Sequence, residues 1–533
     1  TFGTNPVTVS FSPGALIDIQ SGQLTGSTSR SGIWTANQAS MNIAGGAVFD
    51  AVDAGSSASM QIDALSGAGT FQGGYSGNPN GLSTVTIGVA GGSGNFSGTL
   101  KDDSNAHLGV VKTGTGTEIF SGIDTYSGAT TINGGALVVS NTVLHSPAIS
   151  IAAGAVLDYS EANSVVQPGT TYTGAGTLRF TGTGNLTFGS GRVGVGFAPG
   201  ALIDIQSGEF TGSSGYNGYW TSNQASMNIT NGAVFDAMDA GPTGTMQLDA
   251  LTGGGIFQGG NSSFTAVAAV TIGVAGGGGT FSGTIKDDIG GSVEIVKTGS
   301  GTEIFSGPNT YSGNTIVNAG ILIINGTAGS GIVLVNNGTL GGTGTISGAV
   351  SIGPGATLAP GAPTGTLTML NTLTLAGNTI ITLNSGAASS VAGLSGIDYS
   401  GTLTITNMGG PLSTGSSFKL FSAGSSSGNF SSIIGNPGEG QAFRFNPANG
   451  VLSVVSTTLP TTPTNLTFKA SSTTLTVNWP ASYTGWVLQA QTNPIWLGMT
   501  SSNWLDVTGS GSTDSMTFAI SPTNNVFFRM RQP

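Results

Sequence analysis

The side chains best suited to bind a ligand are aromatic residues near the C-terminus. Four of the six tryptophans, Trp479, Trp486, Trp496 and Trp504, lie close together beside Tyr483. Exposed aromatic rings bind sugars by stacking on the apolar faces of the sugar rings. This chemistry predicts a glycan-binding surface made by Trp496, Trp504 and Tyr483. The competing interpretation is structural, and we expect Trp479 and Trp486 to form the core of a small β-sandwich.

A second set of candidates consists of aspartates that occur twice. Asp50 and Asp53 in FDAVDAG return as Asp236 and Asp239 in FDAMDAG. Carboxylate oxygens gathered at a turn can bind calcium, which makes these four residues weak calcium candidates. The sequence lacks the aspartate-glycine nonapeptide of calcium-binding solenoids. We therefore expect solvated turn carboxylates, with neither a metal nor another cofactor.

Residues suited to catalysis are scarce. The chain has two histidines and no cysteine, and its adjacent Asp102 and Asp103 would point to opposite faces of a strand. Enzymes that hydrolyse polysaccharides need paired carboxylates on either side of the scissile bond. We predict that the protein is not an enzyme, and we keep a polysaccharide-degrading β-helix enzyme as the last of three alternatives.

Composition excludes several classes of protein. Charged residues make up 7% of the chain, against about 25% in a typical soluble domain. The net charge is −11 and the 12 lysines and arginines are scattered, so no basic surface is available to neutralise nucleic-acid phosphates. No run of about 18 apolar residues is present, which predicts no membrane-spanning helix. No charged segment followed by an apolar one opens the sequence, so we expect a mature product.

The elements that must position these residues are largely duplicated. FSPGALIDIQSG at 11–22 returns as FAPGALIDIQSG at 197–208, and VTIGVAGG at 85–92 returns unchanged at 270–277. Phenylalanines keep their places in both copies, and we predict that they form an internal ladder. The pairs are Phe11 with Phe197, Phe49 with Phe235, Phe71 with Phe257, Phe96 with Phe281 and Phe120 with Phe305.

Short runs of alternating apolar and polar residues recur within each copy, separated by GG, SG, NG and PG. Alternation is typical of strands with one buried face, and glycine supplies the positive φ that tight turns need. Stacked as coils, such strands pair with the coils above and below at about 4.8 Å. The sequence therefore predicts an all-β protein, an elongated β-solenoid with a small C-terminal β-sandwich. We expect a first solenoid copy at 1–190, a second copy with closing rungs at 191–385, a solenoid end or separate β domain at 386–457, and the sandwich at 458–533.

Two segments of the duplicated region carry a recognisable repeat. VVKTGTGTEIFSGIDTYSGATTINGGALVV at 110–139 and IVKTGSGTEIFSGPNTYSGNTIVNAGILII at 295–324 resemble the autotransporter-associated β-strand repeat, also called the passenger-associated transport repeat. In the first segment the family pattern is carried by Lys112, Gly114, Gly116, Ser121, Gly122, Thr125, Tyr126 and Gly128. The segment at 338–361 resembles the closing part of such solenoids. The resemblance implies a right-handed parallel β-helix in a bacterial protein exported to the cell surface or beyond.

The C-terminal segment has a different character. WPASYTGWVLQAQTN at 479–493, NWLDVTGS at 503–510 and VFFRMRQP at 526–533 resemble a module found at the ends of large secreted repeat proteins of Gram-negative bacteria. This resemblance again implies a secreted, extracellular or surface location. It does not identify the ligand.

The first strand-like segment indicates how the protein could assemble. NPVTVSF at 5–11 corresponds to GRVGVGF at 191–197, which lies in the middle of the predicted solenoid. Proteins normally cover the outer strand of a sheet to prevent pairing with another chain, and here we expect the edge at Val7, Val9 and Phe11 to be open. An open edge predicts head-to-tail association of the protein with itself into an extracellular structural fibre or sheath. The alternative is a monomeric surface adhesin whose solenoid is a stalk and whose partner is a polysaccharide or the host or biofilm matrix.

Overall fold

Parallel strands stacked in coils make up most of the chain. A computed structural model describes residues 7–26, 34–51, 59–73, 82–103, 107–140, 143–161, 163–188, 193–212, 220–237, 245–259, 267–288, 291–361, 364–457, 461–462 and 464–532. Each coil contributes up to three short strands, and most strands pair in parallel with their equivalents in the next coil. Leu16 thus lies beside Ser40, and Leu202 beside Ser226. The predicted parallel β-solenoid is confirmed.

The strands form three faces along the solenoid. The first face is an unbroken ladder of Leu16–Ile19, Ser40–Ile43, Leu65–Gly67, Gly94–Phe96, Thr117–Phe120, Ala136–Val139, Val156–Tyr159, Thr177–Phe180, Leu202–Ile205, Ser226–Ile229, Leu251–Gly253, Thr280–Phe281, Thr302–Phe305, Ile321–Ile324, the second halves of Val333–Gly342 and Val350–Pro360, Asn378–Asn384, Thr402–Asn407 and Ser432–Ile434. The second face consists of Ser59–Ile62, Leu82–Ile87, His107–Lys112, Thr130–Ile132, Ala148–Ile151, Thr171–Gly174, Gly194–Phe197, Thr245–Leu248, Val267–Ile272, Ser292–Lys297, Thr315–Val317, the first halves of Val333–Gly342 and Val350–Pro360, Thr372–Leu375, Gly396–Tyr399 and Ser426–Gly428. The third face consists of Gln23–Thr25, Val48–Asp50, Thr70–Gly73, Thr99–Asp102, Ile123–Asp124, Asn163–Val165, Asn185–Thr187, Glu209–Thr211, Val234–Asp236, Ile256–Gly259, Thr284–Asp287, Thr345–Ile346, Thr366–Met369, Ser390–Leu394 and Phe421–Ala423.

Aromatic side chains line up inside the solenoid. Alternation places every second residue of a strand in the interior, and the duplicated phenylalanines occupy such positions. The ring centroids of Phe49 and Phe71 are 5.2 Å apart, and those of their counterparts Phe235 and Phe257 are 5.3 Å apart. The predicted internal ladder is confirmed for every pair except at Phe11, which is 50% exposed although its counterpart is buried.

Glycines stack at one corner of the coils, where neighbouring backbones come too close for any side chain. A Cβ atom on Gly122 would lie 1.7 Å from the carbonyl oxygen of Gly98, and one on Gly307 would lie 1.8 Å from that of Gly283. The Ser-Gly pair of each predicted repeat is therefore needed for close stacking of one coil on the next.

The parallel faces continue as far as Ile434. Strands within residues 390–434 therefore continue the solenoid, a point that the sequence alone did not decide. Beyond them, Ser417–Lys419, Val451–Ser456 and Gln441–Asn446 form a small antiparallel sheet, and Ala387–Ala388 pairs antiparallel with the end of Asn378–Asn384. Four rings, Tyr399, Phe421, Phe430 and Phe445, fill the interior of the last coils, with the centroids of Tyr399 and Phe445 5.0 Å apart. The solenoid thus ends on an aromatic cluster.

Two three-stranded antiparallel sheets form the module at residues 464–532. One sheet contains Thr467–Ala470, Thr474–Asn478 and Ser515–Ala519, and the other contains Leu505–Asp506, Val487–Pro494 and Asn524–Arg531. Short 3-10 turns lie at Ala481–Tyr483 and Ser510–Ser512. Buried Val477, Trp479, Trp486 and Leu488 belong to one core, which confirms the predicted role of these two tryptophans. None of the described helices is long or apolar enough to span a membrane.

Candidate functional site

An exposed turn on the module carries a cluster of apolar side chains. We call residues 494–499, with the sequence PIWLGM, the apolar loop. Trp496 is 84% exposed, Met499 65%, Ile495 60% and Leu497 45%. Single exposed apolar residues are common on protein surfaces, whereas a contiguous group of this kind marks an interaction surface.

Hydrogen bonds hold the apolar loop in place. Within the turn, the Leu497 N–H donates to the Pro494 carbonyl at 2.9 Å. The side-chain amide of buried Asn493 donates to the Gly498 carbonyl at 2.7 Å, and that of Asn525 donates to the Ile495 carbonyl at 3.1 Å. Since the backbone is fixed by its neighbours, the apolar side chains are presented to solvent in a defined arrangement.

A second surface combines an aromatic ring with planar polar groups, and we call it the polar-aromatic face. The Arg529 guanidinium lies 4.3 Å from the Trp504 ring centroid, and its Nε donates to Gln489 Oε1 at 2.8 Å. Gln489 Nε2 in turn donates to Asp506 Oδ1 at 2.7 Å, and an Arg531 N–H donates to Asp506 Oδ2 at 2.8 Å. The hydrogen bond from Arg531 lowers the pKa of the Asp506 carboxyl, so this group is a carboxylate at neutral pH.

The three residues predicted to bind glycan are not brought together. Tyr483 is buried in the module core, and its hydroxyl donates to the Thr462 carbonyl at 2.7 Å. Trp504 lies on the polar-aromatic face and Trp496 on the apolar loop, so the two tryptophans belong to separate surfaces. The sequence analysis missed Arg529 and Arg531, although their alternation with apolar residues in VFFRMR places both on one face of a strand.

The residues predicted for self-association lie at the first described coil. Val9 is buried and Val7 is half-buried, whereas Phe11 is 50% exposed and the neighbouring Leu16 is 59% exposed. Within the described ranges, Leu16–Ile19 pairs with a strand on one side, and Ser432–Ile434 at the other end of the ladder also pairs on one side. Among the described residues, the ladder thus begins at an apolar coil and finishes at a serine-rich one.

The aspartates proposed as weak calcium candidates have other partners. Asp50 and Asp236 are buried, so the expectation of solvated carboxylates is wrong for both. Gln23 donates to Asp50 Oδ2 at 2.8 Å, and Gln258 donates to Asp236 Oδ2 at 2.9 Å. The physical reason is the stacking of coils, which places a glutamine of a neighbouring strand beside each carboxylate.

Asp53 and Asp239 lie outside the described residues. Within the described residues, the structure contains no group of three or more acidic or histidine residues that could hold a metal.

Asp102, Ser127 and His107 also meet on the surface of the first copy. The Ser127 hydroxyl donates to Asp102 Oδ2 at 2.5 Å, and His107 Nδ1 contacts the same hydroxyl. In a catalytic triad the carboxylate and the serine contact opposite nitrogens of the histidine, whereas here a single nitrogen faces both. Asp102 also accepts the backbone N–H of Leu108 at 2.7 Å. The arrangement therefore differs from a catalytic triad, although Ser127 and His107 are in contact.

Both copies contain a buried set of charges that the sequence analysis missed. Burial raises the pKa of the Glu118 and Glu303 carboxyls to about 8 and lowers the pKa of the nearby Lys112 and Lys297 amino groups. Lys112 Nζ donates to the Thr113 carbonyl at 2.6 Å. The sequence signal that could have revealed this set is the recurrence of Lys and Glu at matching positions of the two copies, in a chain with few charged residues. The set is enclosed within the coils and is not accessible to a ligand.

Comparison with known proteins agrees with the repeat resemblance. Residues 110–139 and 295–324 match the family model described as passenger-associated-transport-repeat, which confirms that resemblance. The chain is 30% identical over 257 residues to the Adhesin BmaC autotransporter of Brucella suis biovar 1 (strain 1330), which is 42% of this chain and 7% of the adhesin. It is 44% identical over 57 residues to an extracellular serine protease of Serratia marcescens, covering 11% of this chain and 6% of the protease. It is also 29% identical over 149 residues to the uncharacterized lipoprotein YdeK of Escherichia coli (strain K12), covering 25% of this chain and 11% of the lipoprotein. The chain therefore spans a small part of each of these relatives.

Proposed function

We propose that this chain, which carries two passenger-associated-transport repeats, is part of a secreted or surface-exposed bacterial adhesin and not an enzyme. The solenoid is the stalk, and the module binds glycan through its polar-aromatic face. The observation that carries the proposal is the contact of exposed Arg529 with half-buried Trp504, linked to exposed Asp506 through buried Gln489. The similarity to a relative named as an adhesin supports the same conclusion.

The solenoid suits a stalk because each coil contacts only its neighbours. Length grows by about 4.8 Å for each added coil, and stability grows as a sum of coil and interface contributions. The first face continues as one ladder from Leu16–Ile19 to Ser432–Ile434. Such a body is a stiff spacer that holds a module away from the surface to which the other end is attached.

The polar-aromatic face suits a sugar because it joins the two kinds of contact that sugars use. Aromatic rings stack on the apolar C–H face of a pyranose, and planar carboxylate, amide and guanidinium groups bind its hydroxyls. Gln489 is buried beneath the charged groups and fixes Arg529 and Asp506 from below. The surface is therefore preorganised, which lowers the entropic cost of binding.

The test is binding of the whole protein to an array of bacterial and host polysaccharides. We expect retention on at least one polysaccharide and a loss of at least tenfold in affinity for Trp504→Ala and for Arg529→Ala. Trp496→Ala is the matched control, since it removes an exposed tryptophan from the other surface and should bind normally. Thermal unfolding of each variant shows whether the module is folded. Absence of binding to every polysaccharide, or equal binding by folded Trp504→Ala, would exclude this face as a glycan site.

A second candidate function is the predicted fibre or sheath, because the first described coil exposes apolar side chains. Phe11 and Leu16 expose apolar surface at the first coil, and burial of such side chains drives association. Electron microscopy of the protein at rising concentration is the test. Filaments that are lost in Phe11→Ser and Leu16→Ser variants would support assembly through the first coil. Single rods at every concentration would exclude it.

A further inference from the structure

The apolar loop has a role that the glycan proposal does not use. We propose that it binds a lipid surface, with Ile495, Trp496, Leu497 and Met499 entering the interface between headgroups and acyl chains. The inference is independent of the polar-aromatic face. It rests on the exposure of these four side chains, on the hydrogen bonds of the loop backbone, and on the absence of charged residues in the sequence from Val487 to Leu505.

Three carbonyl groups of the loop backbone already have hydrogen-bond partners within the protein, which favours entry into an environment without water. Peptide groups that lose water without gaining another partner oppose entry into lipid. Here the carbonyl of Pro494 accepts a hydrogen bond from the Leu497 N–H, that of Ile495 accepts one from the side-chain amide of Asn525, and that of Gly498 accepts one from the side-chain amide of Asn493. The side chains can therefore enter lipid while these three carbonyls and the Leu497 N–H keep their partners.

The distribution of charged residues in the sequence also favours contact between the module and a lipid surface. No acidic or basic residue occurs from Val487 to Leu505, so the loop can approach apolar material without burying a charge. From residue 464 onwards the module carries three basic residues, Lys469, Arg529 and Arg531, and two acidic residues, Asp506 and Asp514. The whole chain has a net charge of −11. An anionic membrane would therefore attract the module and repel the solenoid.

The shape of the loop argues for lipid over a sugar or a protein groove. Its four apolar side chains project from a tight turn, and tryptophan is the side chain most typical of membrane interfaces. A sugar site needs hydrogen-bonding groups beside the ring, and Pro494 to Met499 offer no polar side chain. Lipid provides a partner for a projecting apolar group without a preformed pocket.

The experiment is co-sedimentation of the whole protein with vesicles of phosphatidylcholine and phosphatidylglycerol, in parallel with tryptophan quenching by brominated lipid. We expect sedimentation with the vesicles and quenching that is absent in Trp496→Phe. Trp496→Ser combined with Leu497→Ser should lower vesicle affinity at least tenfold. Leu505→Ser is the matched control, because Leu505 is 73% exposed but lies outside the loop, and it should bind as the unchanged protein does.

Three outcomes would overturn the proposal. The first is failure of the protein to sediment with the vesicles. The second is sedimentation that the double substitution leaves unchanged. The third is polysaccharide binding that Trp496→Ser abolishes, which would make the loop a sugar platform. Loss of glycan binding in Trp504→Ala with unchanged vesicle binding would separate this inference from the proposed glycan site.

Discussion

The two copies of the repeat show how the same sequence acquires different properties from its position. Phe11 and Phe197 begin nearly identical segments, and both carbonyls accept a hydrogen bond from a glutamine of the next coil, at 3.0 Å from Gln38 and 2.9 Å from Gln224. On the other side, Phe197 pairs with Gly174 of the preceding coil. No described residue takes that place beside Phe11. The side chain is therefore a core residue in one copy and an exposed one in the other.

The largest expected effect tests this difference directly. Phe197→Ala removes a buried ring and should lower the free energy of unfolding by about 3–5 kcal/mol. Phe11→Ala removes a half-exposed ring, and we expect a loss below about 1 kcal/mol. Chemical denaturation followed by circular dichroism measures both. Equal losses would show that the first coil is covered in solution and would remove the basis for association through it.

A substitution at the stacked glycines should affect the two copies equally. Gly122→Ala and Gly307→Ala each place a methyl group against a carbonyl of the neighbouring coil, which we expect to cost roughly 2–3 kcal/mol. The control is Gly45→Ala, because a Cβ at Gly45 meets no atom within 4 Å and the second copy already has a residue with a side chain, Asn231, there. If Gly122→Ala unfolds at the same denaturant concentration as the control, the close stacking of the coils is wrong.

The last expected effect concerns one position at which the copies differ in charge. Asn309 accepts the Ile285 N–H at 2.8 Å and donates to the Thr327 carbonyl at 2.9 Å. Its counterpart Asp124 is buried and has no hydrogen-bond partner among the described residues, and burial raises the pKa of its carboxyl to about 7 from an ordinary value of 3.8. Because the folded pKa is raised, the unchanged protein loses stability as the pH rises from about 4 to 7 and keeps the deficit above 7.

Asp124→Asn should therefore stabilise the protein at pH 8, by up to about 4 kcal/mol because each unit of raised pKa corresponds to about 1.4 kcal/mol, and leave its stability unchanged near pH 4. Asn309→Asp should have the opposite effect at pH 8. Melting temperatures of both variants across this pH range provide the measurement. A gain of equal size at both pH values would mean that hydrogen bonding, and not the charge of Asp124, sets the difference between the copies.

The sequence was a good guide where the structure repeats. Alternating residues predicted the strands, and the duplicated phenylalanines predicted the interior, because stacking of coils gives every equivalent position the same neighbours. Asp50 shows the limit of this reasoning. Its place at the end of a strand suggested a solvated turn, but the neighbouring coil supplies Gln23 and buries it. Contacts between coils depend on register, which the pattern of a single coil does not contain.

The surfaces of the module were harder to predict because its strands belong to two layers. Trp496 and Tyr483 are both aromatic residues in uncharged stretches, yet one projects from a turn and the other fills the core. Composition and spacing do not distinguish these positions. The polar-aromatic face combines Gln489, Asp506 and Arg529 from three strands of one sheet, and such a cluster becomes visible only when strand pairing is known.

The central claim is that the module, and not the solenoid, contacts the surface to which the protein adheres. Hydrogen–deuterium exchange of the whole protein, alone and with either the best polysaccharide from the array or phosphatidylglycerol vesicles, tests it most directly. We predict slowed exchange at residues 487–506 and 524–531, with no change in the solenoid. Slowed exchange at Leu16–Ile19 or along the faces of the solenoid, without a change in the module, would contradict the account.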